Sequence, residues 1–243
     1  MSSLRSERER RTCGILCITF AAFMFALLVL ELMMTRQGGR YTLTVEFMEK
    51  SSMGYSGGFF LSYLILGGLG FFGTLGVIEQ YGHSDSVITR GVRLASLAFF
   101  MTAYWMWGAL FIVQQKLTML TDRPTNPPDW LLQIFAGSDS LFALSGWGRL
   151  GPAIILYGGM GLMLWRGSRL LPRSAAVVFG VVAATHFLQL VYLSVRGAGV
   201  SQGSFDAQDI ADKLLWFGDI VGFTLAGTAL ITEKGVFVRS RRL

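Results

Sequence analysis

Six apolar stretches, each long enough to cross a bilayer, constrain this chain more than any other feature. They cover residues 13–34, 56–78, 94–113, 144–165, 174–195 and 214–231. A helix needs roughly 20 mostly apolar residues to traverse about 30 Å of hydrocarbon at ~1.5 Å per residue. Helix is the required form, because lipid cannot satisfy an open backbone. The alternating ten-residue segments of an outer-membrane barrel are absent. The connections are short, so residues 1–243 read as a single membrane domain. The expected fold is all-α, a polytopic bundle of six transmembrane helices. A hydrophobic content of 52% and a mean hydropathy of +0.51 put the chain outside the soluble globular range.

Lysine and arginine in the connections set the orientation. One side carries Arg5, Arg8, Arg10, Arg11, Arg90, Arg93, Arg166, Arg169, Arg173, Lys234, Arg239, Arg241 and Arg242. The other carries Arg36, Arg40, Lys50, Lys116, Arg123, Arg196 and Lys213. The richer side is cytoplasmic by the positive-inside rule, which places both termini in the cytoplasm and the protein in a plasma membrane. These flanks account for most of the net charge of +6, so the charge does not call for nucleic acid. The first span is too long for the apolar region of a signal peptide, and no small-x-small cleavage site follows it; it reads as a retained anchor.

The tight loop between the fourth and fifth spans, Trp165-Arg-Gly-Ser-Arg-Leu-Leu-Pro-Arg173, precedes a span rich in Val, Gly and Ala. This element resembles the loop between two late helices in uncharacterised bacterial six-span membrane proteins. The resemblance covers about a quarter of the chain. It implies a bacterial six-helix protein and carries no activity with it.

Within the second span, Gly68-Leu-Gly-Phe-Phe-Gly73 matches the letter of a dinucleotide fingerprint. It lacks the preceding strand and the later acidic residue, and it lies in an apolar span. Small residues there let a neighbouring backbone approach, either within the chain or in another membrane subunit docking on span 56–78. Cys13 and Cys17, one turn apart, read as small buried side chains, with metal binding or acylation as the alternative. Residues 41–47 alternate polar and apolar, as a strand or a surface segment would. Asp129 suits a helix N-cap, and so does Ser204, ahead of a sixth helix that starts outside the membrane.

Ionisable side chains within spans cost about 2.5–3.5 kcal/mol each on insertion scales and so mark candidate sites. Glu31, Arg149, His186 and Asp219 are the four. At ~1.5 Å per residue they fall roughly 5, 8, 12 and 8 Å below the outer boundary, all in the outer half. Arg149 and Asp219 match in depth and oppose in charge, and are expected to pair. Gln189 shares a helix face with His186. Two readings stay open: a packing lock, or a cavity binding a small ligand or relaying protons.

Several chemistries drop out. His83 lies in a cytoplasmic loop, so two spans cannot supply paired histidines to haem. No spacing of His, Cys, Asp or Glu supplies a metal site. No nucleophile elbow or phosphate loop is present, and nothing sets a Ser145–His186–Asp219 triad. No cofactor and no catalytic residue is expected. The sequence points to an accessory, sensor or assembly component in the bilayer. The alternative is a transporter or ligand-binding protein using the outer polar cluster.

Overall fold

The computed structural model describes residues 7–36, 54–82, 86–106, 108–109, 129–130, 133–134, 137, 148–167, 169–196 and 205–232. Among them the structure is all-α, with no strand. The helices are α1 (Glu7–Arg36), α2 (Gly54–Tyr81), α3 (Val87–Phe100), α4 (Leu150–Trp165), α5 (Leu170–Arg196) and α6 (Phe205–Thr232). Helix α3 runs on as a π-helix over Met101–Met106. Parts of α1, α2, α5 and α6 are long and apolar enough to cross a membrane, whereas α4 is a shorter apolar helix of 16 residues.

Boundaries differ from the hydropathy reading where polar residues join a helix. Helix α3 starts at Val87 rather than 94, so Arg90 and Arg93 lie on the helix instead of in a loop. Helix α5 starts at Leu170 rather than 174, with Pro172 in its first turn, where a missing N–H leaves nothing unsatisfied. Helix α4 begins at Leu150 with Arg149 as its N-cap. Asp129 is itself helical rather than a residue preceding a helix. Helix α6 starts at Phe205, directly after Ser204. The alternating stretch 41–47 lies outside the described residues.

Each helix packs on its neighbour in sequence, and α6 returns to pack on α1. Glycine contacts show that the neighbours run antiparallel. Along α1 and α2, Cys13 lies against Gly76 and Cys17 against Gly73. Along α2 and α3, Gly70 admits the Phe100 ring and Gly67 the Trp105 indole, which donates to the Leu64 carbonyl at 3.3 Å. Across α4 and α5, Gly161 faces the Ala176 carbonyl and Gly158 faces Ala183. Gly14 of α1 and Gly227 of α6 close the circuit, where a Cβ on either would come within 2.7 Å of the other's carbonyl oxygen. Small residues replace the hydrophobic effect here: helices in lipid associate through close packing, and glycine permits the closest. Beside that contact the Arg10 guanidinium donates to the Leu230 carbonyl, so the described ends of the chain meet.

The turn between α4 and α5 is tight for local reasons. Gly167 N–H donates to the Leu164 carbonyl at 2.9 Å, and Arg173 Nε donates to the Gly167 carbonyl at 3.0 Å. A Cβ on Gly167 would press on Pro172, 2.7 Å from its Cγ.

A closed belt of six aromatic rings runs through the core. Phe20 meets Phe223 at 4.7 Å between centroids, Phe223 meets Phe179 at 5.5 Å, and Phe179 meets Tyr157 at 5.8 Å. Tyr157 meets Phe99 at 5.4 Å, Phe99 meets Phe100 at 5.2 Å, and Phe100 returns to Phe20 at 6.1 Å. Five of the six contacts are edge-to-face, with interplanar angles of 64° to 85°, the arrangement in which a ring's positive edge meets a negative face. The belt draws on α1, α3, α4, α5 and α6 and fills the section they enclose.

A candidate polar pocket above an aromatic belt

A cavity of about 70 Å³ lies against this belt, and Arg149, His186 and Asp219 all line it. The directions of the helices put the cavity on one side of the belt. On the odd helices its wall lies after the belt residues: Met24 after Phe20, Ala103 after Phe99, His186 after Phe179. On the even helices the wall comes first: Arg149 before Tyr157 and Asp219 before Phe223. The pocket therefore sits at the end where α1, α3 and α5 finish, with the belt as its floor.

Each polar side chain reaches the cavity through its own helix geometry. Arg149 stands at the start of α4, and its carbonyl accepts the first helical bond from Ala153 N–H at 2.9 Å. A cation at a helix N-terminus opposes the macrodipole, so the position is favoured only where an anion answers it. Asp219, 6% exposed, lies across the pocket on α6, close enough for Arg149 to act on it electrostatically. His186, 5% exposed, stacks on Tyr157 with centroids 5.7 Å apart and planes at 15°. Phe99 meets the same imidazole edge-on at 6.4 Å.

Burial without full satisfaction is the main property of the site. His186 Nδ1, Asp219 Oδ1 and the Tyr157 hydroxyl are buried without a hydrogen-bond partner. Tyr157 and Asp219 interact at short range, yet those two oxygens do not meet in hydrogen-bond geometry. Leaving a buried polar atom unpaired costs roughly 1–3 kcal/mol, so a group of them needs a reason. A cavity needs about 10–15 Å³ per enclosed water; this one has room for several waters or a molecule of similar bulk.

The structure thus brings Arg149, His186 and Asp219 to one cavity from three helices. Gln189, half-buried, stays within reach of the imidazole one turn away. The Glu31 side chain lies outside the described residues, as does Ser145. Reading the sequence missed Tyr157 and Tyr63. Tyr157 carries the one hydroxyl in Leu150–Trp165, which was the available signal. Side chains on a helix lean toward its N-terminus, so a tyrosine two turns below Arg149 sends its hydroxyl up toward the pocket. The π-helix supplies two consecutive lining residues, Ala103 and Tyr104. Hydropathy carries no signal for such a wide turn, a feature often found at functional sites.

Among the described residues no three of His, Cys, Asp and Glu gather as metal ligands. Cys13 and Cys17 form no disulfide and pack against glycines. Comparison with protein-family models, with curated proteins and with solved structures finds no match for this chain.

Proposed function

We propose that this protein is a six-span membrane protein that binds a small polar ligand in a pocket open to the outer side of a bacterial plasma membrane. In this reading the third crossing is α3 with its π-helical extension, and the fourth is α4 with the residues ahead of Leu150. Both termini are cytoplasmic in this reading, because Arg10, Arg11, Arg90, Arg93, Arg166 and Arg173 all fall at the belt end, away from the pocket. The observation that carries the binding role is the set of buried, unpartnered polar atoms on Asp219, His186 and Tyr157 around one cavity. A pure packing lock, as an accessory or assembly subunit would use, favours complete pairing of such groups. Among the α2 glycines whose surroundings are described, Gly67, Gly70, Gly73 and Gly76 are occupied by α1 or α3, whereas Gly68 has open space beside it and would suit a partner subunit.

The test uses Ala103→Cys in a Cys13→Ala, Cys17→Ala background, with a membrane-impermeant thiol reagent added to intact cells. Labelling at Ala103→Cys from outside is expected, with Gly137→Cys, an exposed position, as the positive control. An unreactive Ala103→Cys beside a reactive Gly137→Cys would overturn the outward-facing pocket.

A further inference from the structure

We propose that the pocket takes a small neutral molecule with both N–H donors and a carbonyl acceptor, a simple carboxamide or a urea. This assignment rests on the pocket reading above and adds the ligand's chemical class. Charge balance is the first argument. Arg149 and Asp219 stand on different helices against one small cavity, and each answers the other's charge across it. The pair is therefore complete before any ligand arrives. An ion of either sign would enter a site of low dielectric without a counter-charge of its own, and a buried charge without one is costly. A neutral molecule leaves the balance of the pair intact.

Hydrogen bonding narrows the class further. Asp219 Oδ1 and His186 Nδ1 both lack a hydrogen-bond partner, and both residues line the cavity, at 6% and 5% exposure. A carboxylate oxygen only accepts, so the ligand must donate to it. The imidazole nitrogen donates in one tautomer and accepts in the other. A ketone or an ether donates nothing to Asp219 and leaves a buried acceptor unpaired. An alcohol gives its one proton to Asp219 and has none for an accepting Nδ1. An amide NH2 or a urea has further N–H groups, and its carbonyl meets the other tautomer. The remaining wall suits a flat, compact body, because Phe99, Tyr104, Trp216 and Leu215 line it with aromatic and apolar surface. Size sets the upper limit: the cavity is several-fold smaller than the roughly 300–1,000 Å³ pockets of drug-sized ligands.

The experiment is calorimetric titration of the full chain in lipid nanodiscs with planar probes of one size. Urea and acetamide carry the proposed chemistry; acetone only accepts, acetate is the anion and guanidinium the cation. Urea or acetamide should bind at least about tenfold more tightly than the other three. Ala103→Leu, which fills the cavity, should abolish that binding. Asp219→Asn removes the charge that answers Arg149 and should turn the preference to acetate. Arg149→Gln removes the charge that answers Asp219 and should turn it to guanidinium. If a variant fails to fold, the probe series on the unmodified chain decides. Acetone or either ion binding as tightly as urea and acetamide would end this assignment while leaving the pocket. No binding, with Ala103→Cys still labelled from outside, would have the same meaning. No binding and no labelling would remove both.

Discussion

Tyr157 and His186 stack face to face, 5.7 Å between centroids, yet the phenol hydroxyl and the imidazole Nδ1 are each buried without a hydrogen-bond partner. The two residues thus belong to the aromatic floor by their rings and to the polar pocket by their heteroatoms. Packing fixes the rings, while the polar atoms are left facing a cavity. Four consequences can be measured.

Tyr157→Phe keeps the ring contacts with Phe99, Phe179 and His186 and deletes only the hydroxyl. An unpaired buried hydroxyl costs roughly 1–3 kcal/mol, so the variant should be as stable as the parent or more so by thermal unfolding in detergent. A loss above about 1 kcal/mol would mean that the hydroxyl is bonded in the folded protein, as such bonds contribute about that much.

Gly227→Val tests the closure of α6 on α1. The new Cβ would meet the Gly14 carbonyl at 2.7 Å and the Cys17 Cβ at 2.9 Å. Overpacking of this kind costs about 1–3 kcal/mol, and backbone atoms yield less readily than side chains. The midpoint in a detergent-denaturation series should fall. Gly68→Ala, with nothing within 4 Å, should leave it unchanged and is the matched control.

Phe223→Ala removes the ring that joins Phe20 to Phe179 and so breaks the belt at α6. Truncating a buried phenylalanine costs about 3–5 kcal/mol in soluble cores. Beyond the stability loss, the floor should leak: Ala103→Cys, expected to react from outside alone in the parent, should be labelled from both sides of inverted and right-side-out vesicles. Unchanged sidedness would show that another layer seals the pocket.

Cys17 is wholly buried, with its sulfur held against Gly73, while Cys13 is half-buried beside Gly76. Maleimide treatment of the folded protein, read by intact mass, should leave Cys17 unmodified until denaturant is added. Rapid modification without denaturant would contradict the α1–α2 packing.

The sequence alone determined the class of fold and the identity of the polar residues in it. Apolar runs of bilayer length force helices, because no other backbone form satisfies itself in lipid, and four of those runs form helices long and apolar enough to cross. Charge in apolar surroundings is rare enough to single out Arg149, His186 and Asp219 one by one. Depth along each helix follows from its rise, which is why these three could be placed at similar heights. Tertiary structure decided everything that depends on rotation about a helix axis and on which helix neighbours which. Hydropathy is nearly uniform around a helix that faces lipid on one side and apolar protein on the other, so the buried face is not written in the pattern. Glycine contacts set that face instead: Gly14 on Gly227, Gly73 and Gly76 on the two cysteines, Gly67 on Trp105. From that packing come the ring of helices, the six-membered aromatic belt, the place of Tyr157 beneath the pocket, and the unpartnered atoms that give the pocket its chemistry.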